Sequence, residues 1–238
     1  MAFNGNIKFK GVSSKTFPLT ITEPPQVSHA SLINANEYTI PGRDGELFST
    51  ATYRESAEIK VKMALVPTGS GNSAYQTALR QVRQWLQGTG KLILGDVTDS
   101  YYEVQKIEIT TDNRVVLRYG TLEAKFTVYP YEFLNSGDDA TTSYSTITNS
   151  GDVSHPLYKI TGAGSGVLTV NNKTMNFTNA DTTYIDVRRQ IAYDGSNNSR
   201  NKYLTGDYNN LVLKHGTNTI SISSGFTLVV YTKWGYNL

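Results

Sequence analysis

The residue types that most often carry chemistry are few in this chain, and they are spread along it. The three histidines, His29, His155 and His215, have no spacing typical of a metal site, and an isolated histidine is more often structural or solvated. The absence of cysteine excludes disulfides, thiolate nucleophiles and cysteine-bound zinc, and no Gly-x-Ser-x-Gly motif supplies a serine nucleophile. We therefore predict that the chain is not an enzyme, with no catalytic, cofactor-binding or metal-binding residues and no cofactor.

Two glycine clusters resemble phosphate-binding loops but lack the surroundings that such loops require. The stretch GAGSG, residues 162–166, precedes the apolar run VLTV, which predicts a strand instead of the helix N-terminus that would hold a phosphate. The stretch GTGK, residues 88–91, is followed by Leu92 where a P-loop has serine or threonine. Asp96 and Asp99 could pair, but close aspartates in such a loop are more often turn formers. We interpret all of these stretches as turns.

The stretch YTIPGRDGEL, residues 38–47, combines a shaped turn with two charged side chains. Pro41 fixes its own φ, and Gly42 and Gly45 allow backbone angles that other residues avoid. Arg43 offers a planar, bidentate hydrogen-bond donor, and Asp44 beside it offers an acceptor. The two side chains could pair with each other or with solvent, which would contribute little. Alternatively, the turn could be a surface for docking onto another protein.

The overall composition indicates a globular protein with no strong electrostatic preference. The chain has 238 residues, 38% of them hydrophobic, and a formal net charge of +2. Lysine and arginine are not concentrated in a basic block, which disfavours nucleic-acid binding. The start of the sequence lacks the apolar segment of a secretory signal, and no run approaches 18 apolar residues, so we expect no membrane insertion. Sixteen tyrosines are equally compatible with a β protein and with an interface or sugar-binding surface.

Alternating apolar residues predict strands over most of the first half. In EIKVKMALV, residues 58–66, one face carries Ile59, Val61, Met63 and Leu65, and lysines occupy the other face. In YYEVQKIEIT, residues 101–110, the apolar positions change from even to odd numbers. A bulge near Gln105 and Lys106 would explain that change.

One segment has helical spacing instead. In residues 72–90 the apolar side chains recur every three or four residues, at Tyr75, Leu79, Val82 and Leu86. Asn72 or Ser73 is the predicted N-cap, and Gly88 or Gly90 the predicted C-terminal stop. We expect a single amphipathic helix laid on a sheet, with Arg80, Arg83 and Gln87 facing water or a neighbouring subunit.

The character of the sequence changes after Leu134. Residues 135–156 are polar and rich in turn formers, and beyond them Asn, Thr, Gly and Ser predominate. The pattern GVLTVNNKTMNFT predicts a hairpin that turns at Asn171 and Asn172, and NTISIS and FTLVVYTKW predict two closing strands. We predict a mainly β protein with two domains: residues 1–134 with one helix, a linker over 135–148, and a β-sandwich over 149–238.

In order and spacing, these motifs resemble the distal tail proteins of long-tailed, non-contractile bacteriophages and of prophages in Gram-positive bacteria. In the first half the resemblance rests on an opening strand around Phe9, then IPGRDGEL, the helix closing in WLQGTGKLILGD, the segment DSYYEV and the late strand LEAKFTVYPYEF. In the second half, NSGDVSHPLYKITGAGSGVLTVNN, YIDVRRQIAYDG and YLTGDYNNLVLKHGTNTISIS are similar to that family's galectin-like sandwich. The resemblance covers nearly the whole chain.

The resemblance implies a structural virion protein at the tail tip, or baseplate, that takes part in host attachment. In this family the N-terminal belt domains form a homohexameric ring around a DNA-wide channel, and the C-terminal domains radiate outward. The implied partners are the other copies of the chain, the major tail or tube protein, a tail-tip or tail-associated lysin protein and receptor-binding proteins, with DNA passing through unbound. The implied location is the virion tail tip, after assembly in the host cytoplasm. Under this hypothesis residues 41–45 are the candidate assembly interface, because an Arg-Asp turn held by glycines suits a joint between subunits.

The alternative is a carbohydrate-binding module that recognises host cell-wall polysaccharide. Galectins hold sugar with a His-x-Asn-x-Arg strand and a Trp-Gly-x-Glu segment. None of the three histidines begins that strand motif, and WGYN, residues 234–237, lacks the glutamate. The length also leaves no room for the inserted carbohydrate-binding domain found in some relatives. The resemblance therefore favours the fold without the sugar site.

Overall fold

The structure is a computed structural model, and it describes residues 5–30, 35–39, 41, 44, 46–49, 54–69, 72–95, 97–116, 119–142, 145–152 and 154–238. Antiparallel strands dominate, and a single α-helix lies within the described residues, which confirms the predicted fold class. The chain forms two compact units. The first comprises Met1–Glu132 with Asn237–Leu238, and the second comprises Phe133–Tyr236.

The first unit is built on one large antiparallel sheet and one helix. Its elements are β1 (Ile7–Phe9), β2 (Val12–Ser13), β3 (Leu19–Ile21), β4 (Gln26–Val27), β5 (Ala35–Thr39), β6 (Glu46–Ser49), β7 (Ala57–Leu65), α1 (Asn72–Trp85), β8 (Gly90–Leu94), β9 (Ser100–Val116) and β10 (Tyr119–Leu134). The large sheet has the strand order β2-β1-β8-β9-β10-β7-β3, and β4 also pairs with β7.

The core of the first unit lies between the helix and one face of the large sheet. The four apolar residues predicted to share a face of β7 are at most 1% exposed, and Lys60 and Lys62 on the other face are exposed, as predicted. Strand β10 alternates in the same way, with buried residues at every second position from Gly120 to Val128. Tyr102 and Val104 of β9 are also buried, and the pairing of β9 with β8 ends at Val104. The apolar phase changes just beyond that point.

The helix has the predicted position and buried face. It runs from Asn72 to Trp85, and the four predicted core residues are all buried. Leu86 lies just past the helix, and its N–H still donates to the carbonyl of Val82 at 2.9 Å. Gly88, with φ of 78°, follows in the left-handed region that ends helices favourably. Arg80, Arg83 and Gln87 are exposed, as expected.

Trp85 joins the helix to the start of the chain, a contact that the helical spacing did not predict. Its ring stacks on Phe17 with centroids 4.9 Å apart, and its indole N–H donates to the carbonyl of Phe9 at 3.3 Å. The ring of Phe9 in turn meets Phe126 of β10 edge to face. These contacts tie the N-terminal strands, the helix and the centre of the sheet into one core.

The second unit is a β-sandwich of two antiparallel sheets. Its elements are β11 (Ala140–Thr141), β12 (Thr146–Asn149), β13 (Leu157–Thr161), β14 (Gly164–Val170), β15 (Lys173–Asn179), β16 (Thr182–Asp186), β17 (Ile191–Tyr193), β18 (Leu204–Thr205), β19 (Gly216–Ile222) and β20 (Thr227–Tyr231). A final strand, β21 (Gly235–Asn237), belongs to neither of these two sheets, and its last residue lies in the first unit. One sheet has the order β11-β20-β13-β16-β17, and the other has the order β12-β19-β14-β15-β18. Alternate residues of both sheets form one shared core, which includes Tyr158, Ile160, Leu168, Met175 and Val230.

The predicted hairpin turn is present in this unit. Strands β14 and β15 pair up to Val170 and Lys173, and Asn171 and Asn172 between them have φ of 48° and 63°. Two successive left-handed residues define the type I′ turn, whose twist matches that of the flanking strands. The predicted closing strands are also present as β19 and β20.

Residues 135–148, for which the sequence suggested a linker, belong to the second unit and contain regular structure. Asn135–Asp138 form a 3₁₀ helix, β11 pairs with β20, and β12 pairs with β19. Lys233 forms an ion pair with Asp138, which holds this 3₁₀ helix against the end of the unit. The segment is polar because its short strands lie at the edges of the two sheets.

Candidate assembly hairpin

The turn singled out in the sequence joins two strands that pair only with each other among the described residues. Strands β5 and β6 form a separate antiparallel ribbon, in which Tyr38 lies opposite Leu47 and Thr39 opposite Glu46. The pairing is irregular between Ala35 and Glu37. Residues 40–45 connect these two strands in the sequence, so the candidate interface lies between the paired strands of this ribbon.

The candidate interface residues are described in part. Pro41 and Asp44 are exposed, as a docking surface requires. Gly42, Arg43 and Gly45 lie outside the described residues. The observation that bears on function is therefore the exposure of Pro41 and Asp44 between the two strands of the ribbon.

An isolated two-stranded ribbon has a physical consequence. Two strands without a third strand or a packed face are at best marginally stable in water. Among the described residues β5 and β6 form no strand pairing with the large sheet, and they are only five and four residues long. A ribbon of this kind is stabilised by any surface that packs against it.

A second feature of the first unit is the charged face of the large sheet, opposite the core. It carries ion pairs between lysine and glutamate: Lys62 with Glu23 at 2.9 Å, Lys106 with Glu108 at 2.6 Å, and Lys125 with Glu58. The hydrogen bond from Lys106 lowers the pKa of Glu108, and the partners of Lys62 and Lys125 raise the pKa of both lysines. Glu108, Lys62 and Lys125 are therefore charged at neutral pH.

The register explains how the pairs form on this face. The Cα of Lys125 lies opposite that of Lys60, a like charge, and the Lys125 side chain instead pairs with Glu58, two positions along β7. Such diagonal contacts across neighbouring strands lie within reach of long side chains. Exposed pairs of this kind add little to stability, but they place a glutamate beside each of Lys62, Lys106 and Lys125.

The residues that could do chemistry are not brought together. No group of three histidine or acidic residues lies close enough to hold a metal ion, within the part of the chain that the structure describes. His215 Nδ1 lies 2.8 Å from the carbonyl oxygen of Gly151, and His29 is exposed. Burial and the nearby Arg188 lower the pKa of His155, so this histidine is neutral at pH 7. Asp96 lies outside the described residues.

Both glycine clusters were predicted to be turns, and the structure places each partly in a strand. Gly162, with φ of 134°, and Ala163 precede β14, whereas Gly164 to Gly166 belong to it; Gly88 leads from the helix into β8, which begins at Gly90. Neither cluster precedes a helix among the described residues, so neither forms the backbone cradle of a phosphate site. No described helix is both long enough and apolar enough to cross a membrane.

The ribbon and the charged face are seen in the structure but were not predicted. The turn was identified in the sequence from its proline and its two glycines. The separation of the ribbon from the large sheet was not, because it depends on pairing between strands far apart in the chain. The alternation of β7, where Lys60 and Lys62 lie opposite the apolar face, predicted part of this charged face. Its acidic partners come from other strands and loops, so the local pattern could not identify them.

Among solved structures, the chain is similar to the Dit protein of phage SPP1, a hub of the adsorption apparatus in phages that infect Gram-positive bacteria. The two are 14% identical, with 97% of this chain and 98% of that chain aligned at a TM-score of 0.71. The chain has the fold of this hub protein. The resemblance stated from the sequence is therefore confirmed at the level of the fold.

Two structures of the phage P2 baseplate in its activated conformation are more distantly similar. The structure with calcium is 7% identical with a TM-score of 0.46, and the structure with strontium is 11% identical with a TM-score of 0.41. Each alignment covers 95% of this chain and 90% of the other chain. No protein-family model and no curated protein sequence matches the chain.

Proposed function

We propose that this chain is a structural protein of a bacteriophage virion, the distal tail hub that joins the tail tube to the tail tip. The observation that carries the proposal is the fold shared with the SPP1 hub protein over nearly the full length of both chains. Fold alone does not fix function. The described residues also bring together no group that could hold a metal ion, and the first unit has a separate two-stranded ribbon, β5–β6, to which we assign a role in assembly.

The proposed hub is a homohexameric ring built from the first unit. In a closed ring each subunit presents one patch to a different patch on its neighbour, so the interface is heterologous. The segment between β5 and β6 suits one side of such a joint because its sequence combines two turn-forming glycines with a charged pair. Arg43 would donate to a carboxylate or carbonyl of the neighbour, and Asp44 would accept. The second unit would radiate outward from the ring.

DNA would pass through this ring without being held. Residues 1–134 contain fourteen lysines and arginines and thirteen aspartates and glutamates, so this part of the chain is nearly neutral. Binding to DNA strengthens with each phosphate that a lysine or arginine neutralises. A channel wall with paired charges, like those on the face of the large sheet, would therefore allow DNA to slide.

The proposed partners are the tail tube protein on one side and a tail-tip or tail-associated lysin protein on the other, with receptor-binding proteins at the periphery. The proposed location is the tip of the virion tail, after assembly in the host cytoplasm. These partners follow from the proposed hub role, since a ring between tube and tip must present a face to each.

The mass of the purified protein in solution tests the ring. Size-exclusion chromatography with light scattering is expected to give six chains of 26.3 kDa, about 158 kDa. A stable monomer of 26.3 kDa at all concentrations would count against a self-assembling hub.

Substitutions in the turn test its role in assembly. Arg43→Ala and Asp44→Lys are expected to weaken ring formation, or docking onto tails, while the free energy of unfolding changes by at most about 0.5 kcal/mol. Lys15→Ala and Asp99→Lys are matched controls, because they make the same kinds of change at exposed positions elsewhere in the first unit. If the turn variants assemble as well as the controls, residues 41–45 are a simple turn.

A further inference from the structure

The two outer faces of the sandwich differ in composition. We call the sheet β11-β20-β13-β16-β17 the β13 sheet, and the sheet β12-β19-β14-β15-β18 the β14 sheet. In the longer strands of both sheets, buried residues alternate with exposed or partly exposed ones, which therefore lie on the outer face. In an antiparallel sheet with one face on the core, the other face is normally solvated and polar.

The outer face of the β14 sheet has this ordinary character. In strands β12, β15 and β19, every residue that alternates with the buried ones is threonine, serine or asparagine. Thr146 lies opposite Thr219, and Thr169 lies opposite Thr174 on one side and Ser221 on the other. Such short polar side chains form hydrogen bonds with water and need no protein partner.

The outer face of the β13 sheet is instead largely apolar. In one row across four of its strands, Tyr231 lies opposite Leu157, Leu157 opposite Asp186, and Asp186 opposite Ile191. Ile191 is 38% exposed, and Tyr231 and Leu157 are half-buried. Asp186 is mostly buried and already accepts the N–H of Arg189 at 3.0 Å. The surface that this row offers to a partner is therefore apolar.

The neighbouring row places one cation among apolar side chains. Val229 lies opposite Lys159, Lys159 opposite Tyr184, and Tyr184 opposite Tyr193. The two tyrosine rings are stacked with centroids 5.3 Å apart, and Lys159 Nζ lies 5.7 Å from the centre of the Tyr184 ring. Because neighbours occupy both faces of the Tyr184 ring, the row presents ring edges outward.

Lys159 has no counter-charge of its own. It forms no ion pair with any residue that the structure describes. Asp181 and Asp194 line the recess beside Lys159, but Asp194 accepts the backbone N–H groups of Ser196 and Asn198, each at 2.9 Å. A lone ammonium group within an apolar surface favours a partner that brings a carboxylate, because removal from water is costly for an unpaired charge.

We propose that the outer face of the β13 sheet docks another protein of the phage tail, through an apolar surface that carries a carboxylate opposite Lys159. Tyrosine is enriched in the energetic centres of protein interfaces, where it combines apolar contact area with a hydroxyl. The apolar side chains around Lys159 would exclude water and so strengthen its pairing with the carboxylate. That the partner is a tail protein rests on the proposed hub function, whereas the position of the docking face rests on the second unit alone.

A second copy of the chain fits this face poorly. Lys159 is the middle residue of β13, and β13 is the middle strand of its sheet. A symmetric pair of copies presents the same patch from both sides, so two Lys159 side chains would meet near the axis. Like charges facing each other across an interface oppose binding, which favours a different protein.

Zero-length cross-linking of purified phage particles tests the predicted ion pair. A carbodiimide joins an amine to a carboxylate only where the two groups are in contact. Mass spectrometry is expected to identify an amide between Lys159 and an aspartate or glutamate of another tail protein. Lys173 is the control, because it is exposed at the start of β15 in the β14 sheet, and we expect no amide between it and that protein.

Hydroxyl-radical labelling compares the exposure of the two faces without any substitution. Tyr184, Tyr193 and Ile191 should be oxidised at least about fivefold less in particles than in the free chain, since the centre of an interface excludes water. Tyr203, which lines a recess with Ser165 of the β14 sheet, should be oxidised equally in both.

A charge reversal then tests whether Lys159 contributes to docking. Lys159→Glu should lower the amount of the cross-linked partner in particles at least about tenfold, because it places a carboxylate against a carboxylate. Lys173→Glu makes the same change on the other sheet and should leave that amount unchanged.

Two kinds of failure are distinguishable. The docking proposal is overturned, and the hub function is not, if the chain is present in particles but Lys159 forms no amide with another protein. It is equally overturned if Lys159 links only to a second copy, or if the two tyrosines are oxidised alike in particles and in the free chain. Absence of the chain from particles would overturn the hub function and this proposal with it.

Discussion

The contact between the helix and β10 at Gly120 predicts a large effect from one added methyl group. A Cβ at Gly120 would lie 2.1 Å from the hydroxyl oxygen of Tyr75 and 2.8 Å from its ring carbon Cζ, whereas ordinary contacts begin at 3.4 Å. Tyr75 is 2% exposed and lies in the core between helix and sheet, so its ring has no open space to enter. Gly120→Ala must therefore push the helix from the sheet.

Overpacking of a filled core typically costs about 1–3 kcal/mol, and the closeness of this contact places the expected loss for Gly120→Ala toward the upper end of that range. Removing the Tyr75 hydroxyl relieves the closest clash but leaves the ring carbon. Tyr75→Phe in the Gly120→Ala background is thus expected to restore part of the lost stability, with a coupling free energy of at least about 0.5 kcal/mol.

Urea unfolding followed by tryptophan fluorescence measures the loss of stability in the first unit. The chain has two tryptophans, and Trp85 lies in the same core as Tyr75. A Trp234→Phe background leaves Trp85 as the reporter. Gly195→Ala is the control, because a Cβ there has no neighbour within 4 Å. If Gly120→Ala and Gly195→Ala have the same stability, the close packing of helix on sheet at this position is wrong.

Two further substitutions test the cores of the two units. Leu86→Ala should lower the free energy of unfolding by about 2–5 kcal/mol, because Leu86 is 4% exposed in the first core. Gln87 is exposed, so the control Gln87→Ala should change the free energy of unfolding by at most about 0.5 kcal/mol. Equal effects of the two substitutions would place Leu86 outside the core. For His155, burial and Arg188 lower the pKa in the folded state below the ordinary value of 6.5, so the unfolded chain takes up the proton first as pH falls. In urea unfolding, the free energy of unfolding of the second unit should therefore be constant above about pH 7.5 and decline below about pH 6.5. His155→Asn should reduce this decline. An identical pH dependence in the variant would contradict the lowered pKa of His155.

The elements with strong local periodicity were predictable from the sequence. Strand β7 alternates apolar and charged residues, and the helix repeats apolar residues every three or four positions, so each pattern determines which face is buried. The turn at Asn171 and Asn172 was equally predictable, because asparagine tolerates the left-handed backbone that a tight hairpin needs. In each case the information lies within about ten residues of the chain.

Features that depend on distant pairing were missed. Residues 135–148 are polar and look like a linker, yet β11 pairs with β20 about ninety residues later, and β12 pairs with β19 about seventy later. The end of the chain was placed with the second half, yet Leu238 donates its N–H to the carbonyl of Pro130 and joins the first core. Short edge strands carry little periodicity, so register with a remote partner determines their position.

For the candidate site too, the sequence predicted the local features and missed the pairing of strands. The composition of residues 41–45 indicated a shaped, charged turn, and the structure adds that the strands on either side of this segment pair with each other as a separate ribbon.

Electron microscopy of the purified protein tests the central claim most directly. The hub proposal predicts rings with six-fold symmetry and a central opening wide enough for duplex DNA, formed by the first unit with the second unit outward. Single separate chains, or closed assemblies without a central opening, would contradict the proposal even though the fold is shared.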